Sequence, residues 1–229
     1  MADLAYASTN FEGYRVTLLD STGNFESDSL GLYVCEDGIS LAVAFTNTDG
    51  TTYQQRLGNG AFCVNRIGPT VQTGAQVTLT ICPWQYALMG LLMGGKVAYN
   101  VGGDAIGWSM PDPDEAQQRR ICLEAWTLAI DGEVQASDAG GLGLWHQSIF
   151  PQATCVVGDF DFGDQVNPFN VVFTVTPNDN VGNGPVNNWP DFDNDNLLDG
   201  HPTGPWAQFL TNSPPTALCE VSNFSAPAS

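Results

Sequence analysis

Residues 76–81 alternate without a break: Val77, Leu79 and Ile81 fall on one side of an extended chain, Gln76, Thr78 and Thr80 on the other. Such a strand belongs to a sheet with one buried and one polar face. The same period runs through 14–19, where Tyr14, Val16 and Leu18 oppose Arg15 and Thr17. It recurs in 39–46, where Leu41, Val43 and Phe45 oppose Ala42 and Ala44. Asp49-Gly50 follows, a hairpin signal before the strand-like run 51–57, and 61–67 is a further apolar run. The period changes at 84–93, where Gln85 is the only polar residue. Pro83 suits a first helical position, Gly94-Gly95 suits a C-cap, and Gly90 suggests close packing. An apolar helix of this kind is expected to be buried on several sides. Residues 119–130 resume as a strand with both faces mainly apolar, Leu123, Ala125 and Thr127 against Cys122, Trp126 and Leu128, so it must be covered twice. Runs 144–150 and 153–157 flank Pro151, and 171–176 is the last clear strand. Residues 97–118, rich in Gly, Pro and Asp, read as a long acidic loop, and 177–229 as a loop-rich C-terminal region. The chain is thus mainly β, with one short helix and long loops. No repeat or boundary divides 1–229.

Charge narrows the function classes. The 25 acidic side chains outnumber six basic ones, for a net −19, and Lys96 is the only lysine. A field of that sign repels nucleic acid and anionic membranes, which argues against direct DNA binding. A surface past which DNA moves without sticking fits it. Hydrophobic residues make up 43% of the chain, enough for a core, so disorder is not expected. Six cysteines (Cys35, Cys63, Cys82, Cys122, Cys155, Cys219) show no metal-like spacing. Several sit in apolar strands, so buried free thiols in a reducing compartment are the expectation, with disulfides as the alternative. No apolar run reaches the length of a membrane span, and residues 1–10 lack the basic start of a secretory leader.

Candidate chemistry is thin. Asp191, Asp193, Asp195 and Asp199 match positions 1, 3, 5 and 9 of a calcium loop, but Asn196 stands at the glycine position and Pro202 at the glutamate position. An exposed acidic loop is the plainer reading, with a weak cation site as the alternative. His146 and Ser148 share a strand face, yet no nucleophile turn accompanies them, and a strand histidine beside Trp145 is more often a packing residue. Paired carboxylates or a tryptophan platform for sugars remain open on composition, although Trp84 and Trp126 lie in segments expected to be buried. The glycine runs lack a phosphate-loop Gly-Lys pair.

Three stretches carry a family resemblance. They are 76–81 followed by the helix to Gly94-Gly95, then Leu144-Trp145-His146-Gln147-Ser148-Ile149-Phe150-Pro151, then Gly182-Asn183-Gly184-Pro185 with Trp189-Pro190. In this order they resemble the major tail tube proteins of long-tailed (siphovirus-type) bacteriophages, most like those of phages infecting actinobacteria. The resemblance implies a β-sandwich of antiparallel sheets with one packed helix. Its inner strands would join on oligomerisation into a ring-wide β-barrel, with hexameric rings stacked into a tube. It further implies no enzymatic role and no cofactor, and the virion as location after assembly in the host cytoplasm. The implied partners are further copies of the chain, a tape-measure protein, and tail terminator and distal tail proteins, with DNA passing an acidic lumen unbound and no membrane involved. The contacts expected on this reading are the N-terminal arm 1–13 with Phe11, the loop 97–118 with Trp108 and Pro111, and the loop carrying Pro185 and Trp189. The alternative is an acidic β-sandwich adhesion module that binds glycans or calcium.

Overall fold

A computed structural model describes residues 6–25, 30–112, 114, 119–131, 144–157, 168–181, 204–211, 219 and 221–223. The alternating runs become strands β1 (Tyr6–Leu19), β2 (Leu30–Cys35), β3 (Gly38–Thr48), β4 (Thr52–Arg56), β5 (Phe62–Ile67) and β6 (Val71–Ile81). After helix α1 (Tyr86–Met93) come β7 (Lys96–Tyr99), β8 (Ala105–Ser109), β9 (Arg120–Asp131), β10 (Leu144–Val157), β11 (Phe169–Thr176), β12 (Ala207–Thr211) and β13 (Val221–Asn223). The main sheet runs β13-β2-β1-β9-β10-β11-β6-β3, with β12 added on β10, and every pairing is antiparallel.

β10 turns this sheet into two layers. Trp145 to Ile149 pair with β12, whereas Gln152 to Val157 pair along the same edge with β11. The register against β9 slips between Phe150 and Ala153, where Pro151 sits. Proline has no N–H for a ladder and is tolerated at a bulge, and a bulged strand can pass from one layer to the next. The two predicted runs either side of Pro151 are therefore one bent strand. The layers face each other across one core: Val16 and Tyr33 from the first, Val77, Leu79, Val171 and Phe173 from the second. Burial of Ala75, Val77, Leu79 and Ile81 with the intervening residues partly or fully exposed follows the period read from the sequence.

α1 closes this core with Leu88, Met89, Leu91 and Leu92. It begins at Tyr86, two residues later than the apolar run suggests, because the chain is still extended at Gln85. The expected glycine stop holds: Gly94 has φ 74° and its N–H donates to Gly90 O at 3.0 Å. Gly90 is required by contact, since a Cβ there would run into Val97 Cγ2.

Four expectations are corrected. Residues 6–13 are no loose arm but the first half of β1, paired with β9 through two register shifts around Phe11. Residues 97–118 are no continuous loop: β7 and β8 form a hairpin closed by Asn100 and Asp104, which exchange backbone and side-chain hydrogen bonds. Residues 177–229 include β12 and β13, the latter pairing with β2. Cys35 and Cys219 are joined in a disulfide rather than held as free thiols, while Cys122 is a buried free thiol as expected and Cys63 is exposed.

Candidate assembly surface

The largest departure from a closed core is the arm formed by residues 38–81. β3 and β6 run together out of the second layer, and β4 and β5 continue the ribbon beyond them. Asp49-Gly50 does not reverse the chain as its sequence suggests. Gly50 and Gly68 instead pass so closely that a Cβ on Gly50 would lie 2.5 Å from the Gly68 carbonyl carbon. Thr70 Oγ1 donates to Asp49 Oδ1 across this waist at 3.0 Å. The reversal comes at the tip, where Leu57 N–H donates to Ala61 O at 2.7 Å and Gly60 takes φ 85°. Every residue of β4 and β5 is exposed.

Much of this exposed surface is apolar. Nine of the sixteen exposed large apolar side chains among the described residues lie between 39 and 71, including Tyr53 (64%), Ile67 (72%) and Val71 (54%). Val43 and Phe45, expected in the core from their alternation, are 37% and 41% exposed, because β3 is the last strand of the sheet among the described residues. Trp206 leans on Phe45, with ring centroids 5.4 Å apart. A two-stranded ribbon wet on both faces is marginal by itself, and an exposed apolar patch with an edge strand beside it is a surface for pairing with another chain. Sequence reasoning missed this arm, although 38–81 holds one acid in a chain of 25, a local absence of charge that could have drawn attention.

A second projection is the β7–β8 hairpin, where Val101 and Ile106 are exposed with Asp104 and Lys96, and Met110, Asp112 and Asp114 are exposed just after β8. Its Trp108, expected at a subunit contact, is half-buried instead. The indole N–H donates to Gly94 O at 2.7 Å, and Arg119 Nη1 donates to Leu91 O at 3.3 Å. Together they satisfy carbonyls at the C-terminal end of α1, where a cation is also favoured by the helix dipole. Trp108 therefore holds hairpin to helix within the chain. Pro111 is half-buried next to Gly95. Phe11 is likewise half-buried, close enough to Gly38 that a Cβ there would strike its ring, and packs at 6.4 Å from Tyr14. Pro185 and Trp189, with Asp191, Asp193, Asp195 and Asp199, lie outside the described residues. Ser148 Oγ accepts a hydrogen bond from Gln208 Nε2 at 3.3 Å across the β10–β12 pairing. Among the described residues no group of three or more His, Cys, Asp or Glu side chains could hold a metal, and no helix is long and apolar enough to cross a membrane.

Two polar clusters lie inside. Glu124 is fully buried on β9 and accepts from Arg15 Nε and Nη2 at 2.6 and 2.7 Å and from Gln147 Nε2 at 2.7 Å. Arg15 also lies over the Trp126 ring at 5.4 Å. This ties β1, β9 and β10 together on the face away from the main core, and covers the second face of β9 as its apolar residues require. At the other cluster, Tyr14, Tyr33 and Asp37 meet near the start of α1. No hydrogen bond reaches the two hydroxyls or the Asp37 oxygens among the described residues. Burial raises both tyrosines and the Asp37 carboxyl above their ordinary values, with Tyr14 and Gln85 near enough to draw Asp37 partly back. Both clusters join strands of the main sheet within the fold.

The outward face of the second layer is different again. Ser40, Ala42 and Ala44 on β3, Gln76, Thr78 and Thr80 on β6, Asn170, Val172 and Thr174 on β11, and Gln152, Thr154 and Val156 on β10 share it by register. Hydroxyls and amides bond across it, Thr80 Oγ1 to Asn170 Oδ1 at 2.8 Å and Gln152 Nε2 to Thr176 Oγ1 at 3.0 Å. Not one of these residues is ionisable. The chain matches no protein-family model and no curated protein.

Proposed function

We propose that this chain is a structural subunit that assembles with copies of itself into the tail tube of a long-tailed phage, in stacked and hexameric rings. The observation that carries the reading is the arm within residues 38–81, a ribbon with nine exposed large apolar side chains that includes β3, the edge of the sheet among the described residues. Such a surface is stable in water only when something covers it. Each large apolar side chain fully buried in a contact contributes about 1.5–3 kcal/mol, so nine of them offer ample driving force. Edge β3 of one copy extending the sheet of the next would remove the free edge and continue the layer around a ring. On this reading the face of β3, β6, β11 and β10 lines the channel. It is a hydroxyl and amide wall, so the net −19 would act from elsewhere on the subunit while the wall itself offers phosphates no cation to bind. The tape-measure protein, the tail terminator and the distal tail protein are the further partners the reading implies.

The test is removal of the arm tip. Residues 52–67 contribute nothing to either core cluster, so replacing them with a short Gly-Ser turn leaves a folded subunit. Sedimentation velocity should show wild type forming large species with rising concentration and the shortened chain staying monomeric. Wild type that remains monomeric throughout counts against assembly.

The adhesion-module reading has one observation in its favour, the Cys35–Cys219 disulfide, because such bonds persist in oxidising surroundings. A virion also spends its life outside the cell, so the bond suits both readings. Calcium titration of the purified chain separates them: heat at micromolar to millimolar calcium supports the module.

A further inference from the structure

The arm and the rest of the chain differ in charge as much as in shape. Residues 38–81 contain Asp49, Arg56 and Arg66, a net +1, whereas the remaining residues carry 24 acids against four bases. Arg56 and Arg66 sit on β4 and β5, where every residue is exposed, and Arg56 lies 4.3 Å over the Phe62 ring. Tyr53 pairs with Arg66 and Gln55 with Val64, so Tyr53, Val64 and Arg66 share one face of the ribbon.

The β7–β8 hairpin presents the converse. Val101, Ile106 and Met110 are exposed, and along 96–114 the exposed acids Asp104, at the turn, and Asp112 and Asp114, just after β8, outnumber the exposed Lys96. Apolar area on both sides supplies contact, and opposite charge supplies orientation. Two arms would set Arg56 and Arg66 against like charges, which disfavours a symmetric arm-to-arm dimer.

Resting on the self-assembly reading, we propose that the basic, apolar arm of one copy docks on the acidic β7–β8 hairpin of a second copy, a head-to-tail contact. A contact between two different surfaces does not close on a pair and can repeat along a tube. It is also sensitive to salt, because the screening length falls from about 10 Å at 0.1 M to about 3 Å at 1 M.

The experiment uses the full chain, with light scattering and sedimentation as readouts and circular dichroism to confirm folding. The double variant R56E/R66E should raise the concentration needed for assembly by roughly tenfold or more. D112R/D114R should do the same, and the two combined in one chain should restore assembly, since each copy then carries a swapped donor and a swapped acceptor. R56E/R66E added below stoichiometry to wild type should shorten the assemblies, because that variant retains the acceptor and lacks the donor. If wild type assembles and R56E/R66E assembles equally well, or the combined variant is no better than either parent, the head-to-tail pairing is wrong while assembly stands. If wild type does not assemble at low or high salt, both are overturned.

Discussion

At the scale of single residues the molecule is held by groups that sequence periodicity only half reveals. Arg15 falls on the polar side of β1 in the alternating pattern, yet it is 2% exposed because Glu124, itself bonded by Gln147, meets it there. The pattern shows that Arg15 faces away from the core, but not that another buried layer waits on that side. Breaking a buried pair leaves the partner charge without compensation, so Glu124→Ala should cost about 3–5 kcal/mol, read as a lower urea midpoint at unchanged slope. Asp37 acts through pH. Burial, its largest influence, lifts its carboxyl above the ordinary 3.8, so the folded chain binds this proton more tightly than the unfolded chain. Its contribution to stability is therefore fullest below that value and declines as pH climbs through the raised folded pKa. Asp20 runs the other way, drawn down chiefly by its hydrogen bond from Thr22. The Asp37 contribution is accordingly isolated by difference: stability of Asp37→Asn relative to wild type should rise as pH climbs above the ordinary 3.8, in denaturation midpoints. A flat difference would mean that Asp37 is not held protonated by burial.

Elements show where sequence and structure part. β6, β11 and the two-sided β9 were legible, because burial on one or both faces writes itself directly into the order of residues. The glycine stop of α1 was legible for a similar reason, since its φ 74° needs a residue without a Cβ. The arm was not, because Asp49-Gly50 has the composition of a hairpin turn. Its use as a waist depends on Gly68, eighteen residues away in sequence and touching it in space. Val43 and Phe45 likewise keep the alternation of a core strand while standing at the sheet edge. The β7–β8 hairpin was hidden by the turn formers around it and is held by Trp108 on Gly94 O. The last strand, β13, spans three residues and adjoins the Cys35–Cys219 bond, which no spacing announced. Cys219 N–H donates to Val34 O at 2.8 Å, so bond and ladder fix the same segment to β2. Cys219→Ser should lower stability by about 2–4 kcal/mol, and a dithiol reductant should lower wild type by the same amount while leaving the variant unchanged. A reductant effect equal in both proteins would assign the loss elsewhere.

For the whole molecule, three surfaces of different character point outward: a basic apolar arm, an acidic apolar hairpin and an uncharged hydroxyl-amide sheet face. This division departs from the mixed charged surface that keeps a small domain dispersed. A subunit with neighbours on two sides and a channel on a third has use for all of them. The candidate contacts read from sequence fall into three groups on this view. Phe11 and Trp108 serve packing within the chain, the other described residues of the 97–118 loop remain at the proposed contact, and Trp189 with Pro185 lies outside the described residues. The central claim is that the purified chain builds a hollow assembly from copies of itself, and negative-stain electron microscopy of concentrated protein at low salt tests it most directly. Rings or tubes with a central pore are the predicted result; a field of separate, monomer-sized particles at every concentration would contradict it.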